Sequence, residues 1–207
     1  MHNRCVILGN SPTAKEVRTD DIQNAFKITV NAGLLIFKDL DMKCDLLHLQ
    51  DPRFFEQKEK FLTEYTDFVS AISVADHIHV PHRLAALCRE KSIAVTRPKI
   101  IGNIGFSRNL DIGFFTGYSA AYGALQVAAH HGFSKISIAG VDFSYGSSNN
   151  RIYESSNGLD RDLHVLNRQI HTFRYGLKQC LAEGVAVDFI AGGDLFKDLA
   201  RRTPHSL

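Results

Sequence analysis

The stretch 164–171 carries the side chains best suited to acid–base chemistry. Asn167, Arg168 and His171 lie three, four and seven residues after His164, and residues spaced in this way share one face of a helix. A neutral imidazole at His164 can take a proton from a sugar hydroxyl if a neighbouring carboxylate fixes its tautomer. The spacing alone is more typical of a solvated helix face, so both interpretations stay open.

Two carboxylates stand shortly before this histidine. Asp160 and Asp162 form the DxD pattern that holds a divalent metal in many glycosyltransferases. The pattern falls just before a helix rather than at the end of a strand, so helix capping and compensation of the helix dipole explain it more simply. We therefore predict no metal site here.

A group of histidines in the middle of the chain has a spacing that would suit zinc. His77 and His79 lie on one face of a short strand predicted over 77–80, and His82 follows. Asp76 is the only further ligand that the neighbouring sequence offers. A crowded polar edge of the sheet is therefore the simpler interpretation.

Tyr145 and Tyr153 flank a loop rich in serine and asparagine. Their phenolic hydroxyls could donate hydrogen bonds to a leaving phosphate. Aromatic residues half-packed at the rim of a site fit the same pattern equally well.

The first predicted strand and the loop after it supply the earliest ligand-binding candidates. Residues 4–8 are mostly apolar without alternation, which indicates a parallel strand covered on both faces. Gly9, Asn10 and Ser11 come next, before a helix predicted over 14–17. Such a junction places free amides and a helix N-terminus at the carboxyl edge of the sheet, where phosphate is stabilised. An ordinary turn between strand and helix is the alternative.

Standard fingerprints for nucleotide binding do not occur in the sequence. It contains neither GxGxxG nor GxxxxGK[ST], which argues against a classical dehydrogenase or a P-loop NTPase. Lys and Arg number 24 against 22 Asp and Glu, and the resulting net charge of +2 implies no strong attraction to nucleic acid or membranes. A small molecule is therefore the expected partner.

The order of predicted elements indicates a doubly wound α/β domain. Strands are predicted over 26–30, 45–49, 71–74, 77–80, 93–95, 135–139 and 185–190, and helices over 52–66, 81–90, 120–131, 163–183 and 194–199. This alternation favours a mostly parallel sheet with helices on both faces, and we predict one domain over 1–207. Residues 100–115, rich in glycine and polar side chains, are a candidate lid.

Length and composition suit a cytoplasmic protein with a sizeable core. The chain has 207 residues, of which 44% are hydrophobic and 22% charged. The sequence shows no apolar run that would span a bilayer and no signal peptide, so cytoplasmic location is expected. Cys5, Cys44, Cys88 and Cys180 are scattered, which indicates reduced and mostly buried thiols.

Four stretches of the chain resemble the bacterial sialyltransferases of glycosyltransferase family 42 and the related domain-of-unknown-function family 115. They are VILGNSPTAKE (6–16), VNA (30–32) with DPRFFEQ (51–57), TGYS (116–119) with HGFSKISIAGVDF (131–143), and HxxNxxI (164–170). The third is the most specific, because it is similar to the family's Gly-Tyr-Lys-Glu-Ile-Tyr-Leu-x-Gly-Ile-Asp-Phe. The fourth looks like the segment that carries the family's catalytic histidine.

The resemblance implies a Rossmann-like fold and metal-independent, inverting transfer of a sugar from a CMP-activated donor to a glycan acceptor. It makes His164 the general base and places Tyr145 and Tyr153 at the leaving phosphate, one and several residues beyond the family's own tyrosines. The nucleotide-binding residues expected from the resemblance and the strand-end loops are Gly9, Asn10, Ser11, Asn31, Thr116, Gly117, Ser119 and Asp142. No cofactor is required, membrane association is at most peripheral, and a homo-oligomer is compatible with the family.

Two other functions remain open on the sequence. A pyrophosphokinase that uses ATP, Mg²⁺ and a hydroxymethylpterin would need a carboxylate set, for which Asp142, Asp160 and Asp162 are the clustered candidates. A catalytically degenerate module that only binds a nucleotide-sugar would fit the displaced tyrosines.

Overall fold

The computed structural model of the protein describes residues 3–143 and 159–200, and Tyr145 and Tyr153 lie outside these ranges. The side chains at 53, 55–57, 159–163 and 200 are also outside the described set, including those of Asp160 and Asp162. The strands are β1 (Arg4–Leu8), β2 (Phe26–Val30), β3 (Leu46–Leu49), β4 (Ala71–Val74), β5 (Ala94–Thr96), β6 (Ile100–Gly102), β7 (Phe114–Phe115), β8 (Lys135–Ala139) and β9 (Ala186–Ala191). The α-helices are α1 (Thr19–Ile22), α2 (Leu34–Asp39), α3 (Pro52–Glu64), α4 (His82–Glu90), α5 (Ala120–His130), α6 (Leu159–Ala182) and α7 (Lys197–Ala200). Short 3₁₀ helices cover Pro12–Glu16, Asn31–Gly33, Thr66–Phe68 and Asp194–Phe196.

Seven parallel strands form the main sheet, in the order β5-β4-β3-β2-β1-β8-β9. β1 takes a central position because its side chains are buried alternately on both faces of the sheet. Cys5 and Ile7 belong to one hydrophobic core, and Val6 and Leu8 belong to the other. The α/β fold with a mostly parallel sheet is therefore confirmed.

Helices cover both faces of the sheet. The core that contains Val6 and Leu8 is closed by α1 to α4, through side chains such as Phe37 and Leu84. The opposite core is closed by α5 and α6, through side chains such as Phe173. α5 is buried along nearly its whole length because it lies between the sheet and α6, which explains why its sequence is apolar on all sides.

The strand order reverses beside β1. The chain builds β2 to β5 outward on one side of β1 and then returns to place β8 and β9 on the other side. In open parallel sheets, ligands bind at such a switch point, in the crevice outside the carboxyl ends of the strands. The loops after β1, β2 and β8 meet at this edge.

Two elements in the middle of the chain differ from the sequence prediction. The strand predicted over 77–80 is wrong, because this segment is a turn. Arg97 holds the turn by donating to the carbonyl oxygens of Asp76 and Ile78, each at 2.7 Å. The segment predicted as an irregular lid contains β6 and β7, which pair in a separate two-stranded parallel sheet.

The loop after β1 also differs from the prediction. It leads into the 3₁₀ helix Pro12–Glu16 rather than an α-helix, and the side chain of Ser11 at its N-cap makes no capping hydrogen bond. A 3₁₀ helix of five residues is too short to add much dipole field at its N-terminus. Amide donors for an anion are therefore better supplied by α5, an α-helix of eleven residues.

The remaining sequence features fall on the surface or in the core. His77, His79 and His82 are exposed, and the rings of His79 and His82 meet edge to face with their centroids 5.9 Å apart. In the described ranges, no group of three or more His, Cys, Asp or Glu side chains is placed to hold a metal ion. All four cysteines are buried and unpaired. Among the helices of the described chain, none has the length and apolar character needed to cross a bilayer.

Glycines allow the loops at the carboxyl edge to touch backbone to backbone. A Cβ atom at Gly9 would lie 2.1 Å from the Gly140 carbonyl oxygen, and one at Gly33 would lie 2.6 Å from the Gly9 carbonyl oxygen. Two hydrogen bonds close the same contact, from Gly9 N to Ala139 O at 2.8 Å and from Ser11 N to Gly140 O at 3.0 Å. The loops after β1, β2 and β8 therefore share one close-packed junction.

We expect Gly9→Ala to lower the free energy of unfolding by about 3 kcal/mol, because the added methyl group must push two backbones apart. Urea denaturation measures this change. Gly102→Ala is the matched control, since its Cβ would meet only the Phe115 ring, at 3.3 Å, and should change stability by less than about 1 kcal/mol. Equal losses in the two variants would show that the junction tolerates separation.

Candidate functional site

Asn31 lies directly after the carboxyl end of β2, at the same edge of the sheet as the loop after β1. Its backbone is left-handed, with φ of 49°, a conformation that asparagine tolerates better than most residues. Its side-chain oxygen is buried and accepts no hydrogen bond from any described residue. An unpaired buried acceptor costs about 1–3 kcal/mol, so a donor group on a ligand would be stabilised at this position.

Asp142 fastens three loops to one another. Its Oδ2 atom accepts a hydrogen bond from Thr13 Oγ1 at 2.5 Å, and its Oδ1 atom accepts one from Gly193 N at 3.1 Å. Its own amide donates to Ser11 Oγ at 3.4 Å. The loops after β1, β8 and β9 are thus tied through one half-buried carboxylate, and the nucleotide contact expected of Asp142 stays a prediction.

The chain enters α5 through a left-handed turn, which we define as Thr116–Tyr118. Gly117 has φ of 52° and Tyr118 has φ of 61°. A Cβ atom at Gly117 would lie 2.1 Å from the Tyr122 ring, so only glycine fits this position. A tyrosine in this conformation carries backbone strain, which persists only where the surrounding structure holds it.

Each carbonyl group of the left-handed turn accepts a hydrogen bond from a side chain of another element. The donors are Gln50 Nε2 to Thr116 O at 3.0 Å, Thr172 Oγ1 to Gly117 O at 2.8 Å, and Gln169 Nε2 to Tyr118 O at 2.7 Å. The strained conformation is therefore held from the end of β3 on one side and from α6 on the other.

Ser119 follows the turn and occupies the N-cap of α5. Its backbone is extended, with φ of −153° and ψ of 132°, and its side chain makes no capping hydrogen bond. The first amides of an α-helix have no partner within the helix. They lie at the positive end of the helix dipole, which favours an anion. The Ser119 hydroxyl and these amides can therefore bind a phosphate or carboxylate.

The base of the candidate lid is attached to the same turn and to α5. Asn103 accepts hydrogen bonds from Thr116 Oγ1 at 2.6 Å and from Gly117 N at 3.0 Å. The fully buried Gln126 binds both the amide and the carbonyl of Phe115, at 3.0 and 2.7 Å. These bonds fix the ends of the segment, and its movement as a lid stays a prediction.

A buried polar chain supports the turn from inside the sheet. His48 on β3 contacts Ser73 Oγ through Nδ1 at 3.2 Å and Gln50 Oε1 through Nε2 at 3.3 Å. Gln50 uses its NH₂ group on Thr116 O, so its oxygen must accept the proton of His48 Nε2, and Ser73 then donates to Nδ1. Burial lowers the pKa of His48 to about 4. The imidazole is therefore neutral at physiological pH.

α5 rests directly on this chain. A Cβ atom at Gly123 would lie 2.3 Å from His48 Nε2 and 2.4 Å from Gln50 Oε1. The glycine lets the helix backbone approach the two side chains, and the height of the α5 N-terminus above the sheet is set by that contact.

The polar face of α6 is exposed beside the turn. His164, Asn167, Arg168 and His171 are all exposed, and the guanidinium carbon of Arg168 lies 5.7 Å from the centre of the Tyr118 ring. His164 is one helical turn before Arg168, about 6 Å along the axis. The predicted base therefore lies one helical turn beyond the contact between Arg168 and Tyr118, with an exposed side chain, and its role stays a prediction.

Several residues that shape the site were not identified from the sequence. They are His48, Gln50, Gln126, Gln169 and Thr172. Gln126 carried a usable signal, since it is the one strongly polar side chain inside the apolar stretch 120–129. The others have partners 25 to 66 residues away along the chain, which no local pattern reveals.

Comparison with known proteins gives one structural relationship. No protein-family model matches the chain, and no curated protein matches it. The crystal structure of a single-residue variant of the sialyltransferase CST-II in complex with CMP matches it with a TM-score of 0.50 and 12% sequence identity. The match covers 98% of this chain and 88% of that chain. A relationship at this level of identity shows a shared fold.

The neutral state of His48 gives a pH-dependent stability. Its pKa is about 4 in the folded protein and about 6.5 in an unfolded chain, so the unfolded state binds the extra proton between these values. The stability that His48 contributes is complete above about pH 6.5 and falls as the pH drops toward about 4.

We expect the wild type to lose about 2–3 kcal/mol more than His48→Gln between about pH 7.5 and about pH 4.5. Urea denaturation at the two pH values measures the difference, and carboxylates that titrate in both proteins cancel. Parallel pH profiles would contradict the buried neutral imidazole.

Proposed function

We propose that the protein is a glycosyltransferase that binds a CMP-activated sugar and transfers the sugar to a glycan acceptor, in the manner of sialyltransferases. The observation that carries the proposal is that three elements lie at the carboxyl edge of the sheet. These elements are the first loop after β1, Asn31 after β2, and the left-handed turn with the N-terminus of α5. The structural relative was crystallised with CMP, which supports the choice of nucleotide.

The donor would lie between two sets of groups. Gly9, Asn10 and Ser11 border it on the side of β1, and the unpartnered Asn31 oxygen accepts a donor group of the nucleoside. On the other side, the Ser119 hydroxyl would face the phosphate. Thr116 and Gly117 would shape this side of the site, because the Thr116 hydroxyl and the Gly117 amide already donate to Asn103. The amides of the α5 N-terminus supply positive potential without a metal ion.

The reaction would be a single inverting displacement. The acceptor oxygen forms a bond to the anomeric carbon, the bond from that carbon to the phosphate oxygen breaks, and CMP leaves with the electron pair. His164 takes the proton of the acceptor hydroxyl, and the tyrosines Tyr145 and Tyr153 donate hydrogen bonds to the departing phosphate. Amides that remain fixed during the reaction stabilise the developing charge without reorganisation.

The pyrophosphokinase alternative is less well supported by the site. It requires Asp142 to bind Mg²⁺, but both of its carboxylate oxygens already accept hydrogen bonds, from Thr13 and Gly193. A magnesium ion at Asp142 would compete with these two bonds for the carboxylate that ties the three loops together. Binding of CMP without metal, compared with ATP plus Mg²⁺, separates the two functions in a thermal-shift experiment.

We expect CMP to bind the wild type without added metal and Asn31→Ala to weaken that binding about ten-fold, because a buried hydrogen bond to the ligand is lost. Isothermal titration calorimetry measures both constants. Asn24→Ala is the control, since Asn24 is exposed in the turn that precedes β2, at the opposite edge of the sheet. Equal affinities in all three proteins would remove Asn31 from the site.

His164→Ala should leave CMP affinity within about three-fold of the wild type and slow sugar transfer from a CMP-sialic acid about 10²- to 10⁴-fold, because only the proton acceptor is removed. Transfer to a panel of glycans and hydrolysis of the donor are measured together, with His171→Ala as the control on the same helix face. Loss of CMP affinity in step with activity would refute the role of general base. A wild type that binds CMP but turns over no donor would identify a binding module.

A further inference from the structure

The left-handed turn before α5 is held more firmly than packing alone requires. Gly117 and Tyr118 adopt left-handed conformations in succession, and for a tyrosine this costs about 1–2 kcal/mol. The conformation exposes the first amides of α5 and the Ser119 hydroxyl at the carboxyl edge of the sheet. If the turn relaxed to a right-handed conformation, these groups would point elsewhere.

Gln169 is an energetically unfavourable residue for a purely structural position. Its side chain is only 5% exposed, its Nε2 atom donates to Tyr118 O at 2.7 Å, and its Oε1 atom is buried with no described partner. An apolar side chain of the same volume would avoid the unpaired acceptor. What such a side chain could not supply is the donor that fixes the Tyr118 carbonyl.

Thr172, about one turn further along α6, holds the left-handed turn with a weaker hydrogen bond. Its hydroxyl lies 2.8 Å from Gly117 O, but it also lies 2.8 Å from Arg168 O within its own helix. A hydroxyl has a single proton to donate, so the bond to the turn competes with a bond inside α6. Gln169 has no such competitor, and its bond to the turn is the firmer of the two.

We propose that Gln169 and Thr172 are positioning residues, which hold the left-handed turn in the shape that aims Ser119 and the α5 amides at the nucleotide. This inference rests on the proposed function and deepens it. Both residues belong to α6, the helix that carries His164, so a single rigid element fixes the nucleotide-binding turn and the predicted base. The nucleotide-binding turn and the predicted base therefore keep fixed positions relative to each other.

Gln169→Met tests the proposal, because methionine keeps the volume while removing both the donor and the unpaired acceptor. We expect the melting temperature to stay within about 3 °C of the wild type, since one hydrogen bond is lost and one buried unpaired oxygen is removed. We expect CMP affinity to fall about ten-fold and amide hydrogen exchange at 117–121 to quicken about ten-fold. Thr172→Val should show the same pattern at about three-fold.

Ser137→Ala is the matched control. Ser137 is a fully buried residue in the middle of β8, three strands away from β3, and its hydroxyl accepts a hydrogen bond from Arg4 Nε at 3.1 Å. Its loss should lower the melting temperature and leave both CMP affinity and exchange at 117–121 unchanged.

The outcomes separate positioning from simple stabilisation. The proposal is overturned if Gln169→Met and Thr172→Val bind CMP as the wild type does, or if their affinity falls only in step with melting temperature, as in a general loss of stability. Unchanged exchange at 117–121 in both variants would also overturn it. If the wild type has no affinity for CMP, the proposed function fails, and the exchange measurement alone decides whether the two side chains hold the turn.

Discussion

The close approach of backbones at the carboxyl edge of the sheet is the constraint on which the rest of the site depends. Gly9, Gly33 and Gly140 lack the Cβ atoms that would keep the loops after β1, β2 and β8 apart. Because the three loops touch, their polar residues face one small volume instead of separate stretches of surface. Asn31 and Ser11 take their places from this junction, and Asp142 extends it to the loop after β9. A ligand that binds here contacts groups whose positions are already fixed.

The two sides of the site are held by different kinds of interaction. On the side of β1, the loops are positioned by glycines, which lack side chains and so let the backbones touch. On the side of α5, it follows from long-range hydrogen bonds, with Gln50 and Gln169 placed across the left-handed turn and the neutral His48 beneath it. A charged imidazole at His48 would disturb this arrangement, and burial keeps it uncharged. The glycines on the side of β1 tolerate no larger residue. The hydrogen bonds on the side of α5 form only when the complete fold brings their donors and acceptors together.

These differences explain how much of the molecule could be predicted from the sequence. The first strand was found because a continuous apolar run marks a strand buried on both faces. The place of Asn31 followed from its position directly after the alternating stretch 26–30. The pair β6 and β7 escaped detection because strands of three and two residues leave no periodic signal. The segment 77–80 alternates like a strand, yet hydrogen bonds from Arg97 hold it as a turn. The donors to the left-handed turn lie 51 to 66 residues away in the chain, and only the fold reveals them.

The position of β1 also affects how the chain is made. β1 pairs with β2 within the first 30 residues, but its other neighbour is β8, with Arg4 opposite Lys135. At about 5–20 residues per second, a ribosome completes β8 roughly 7–26 s after β1. During this interval one edge of the largely apolar β1 has no partner, and such edges are templates for pairing with other chains. The strand beside which the strand order reverses therefore needs protection while the chain emerges.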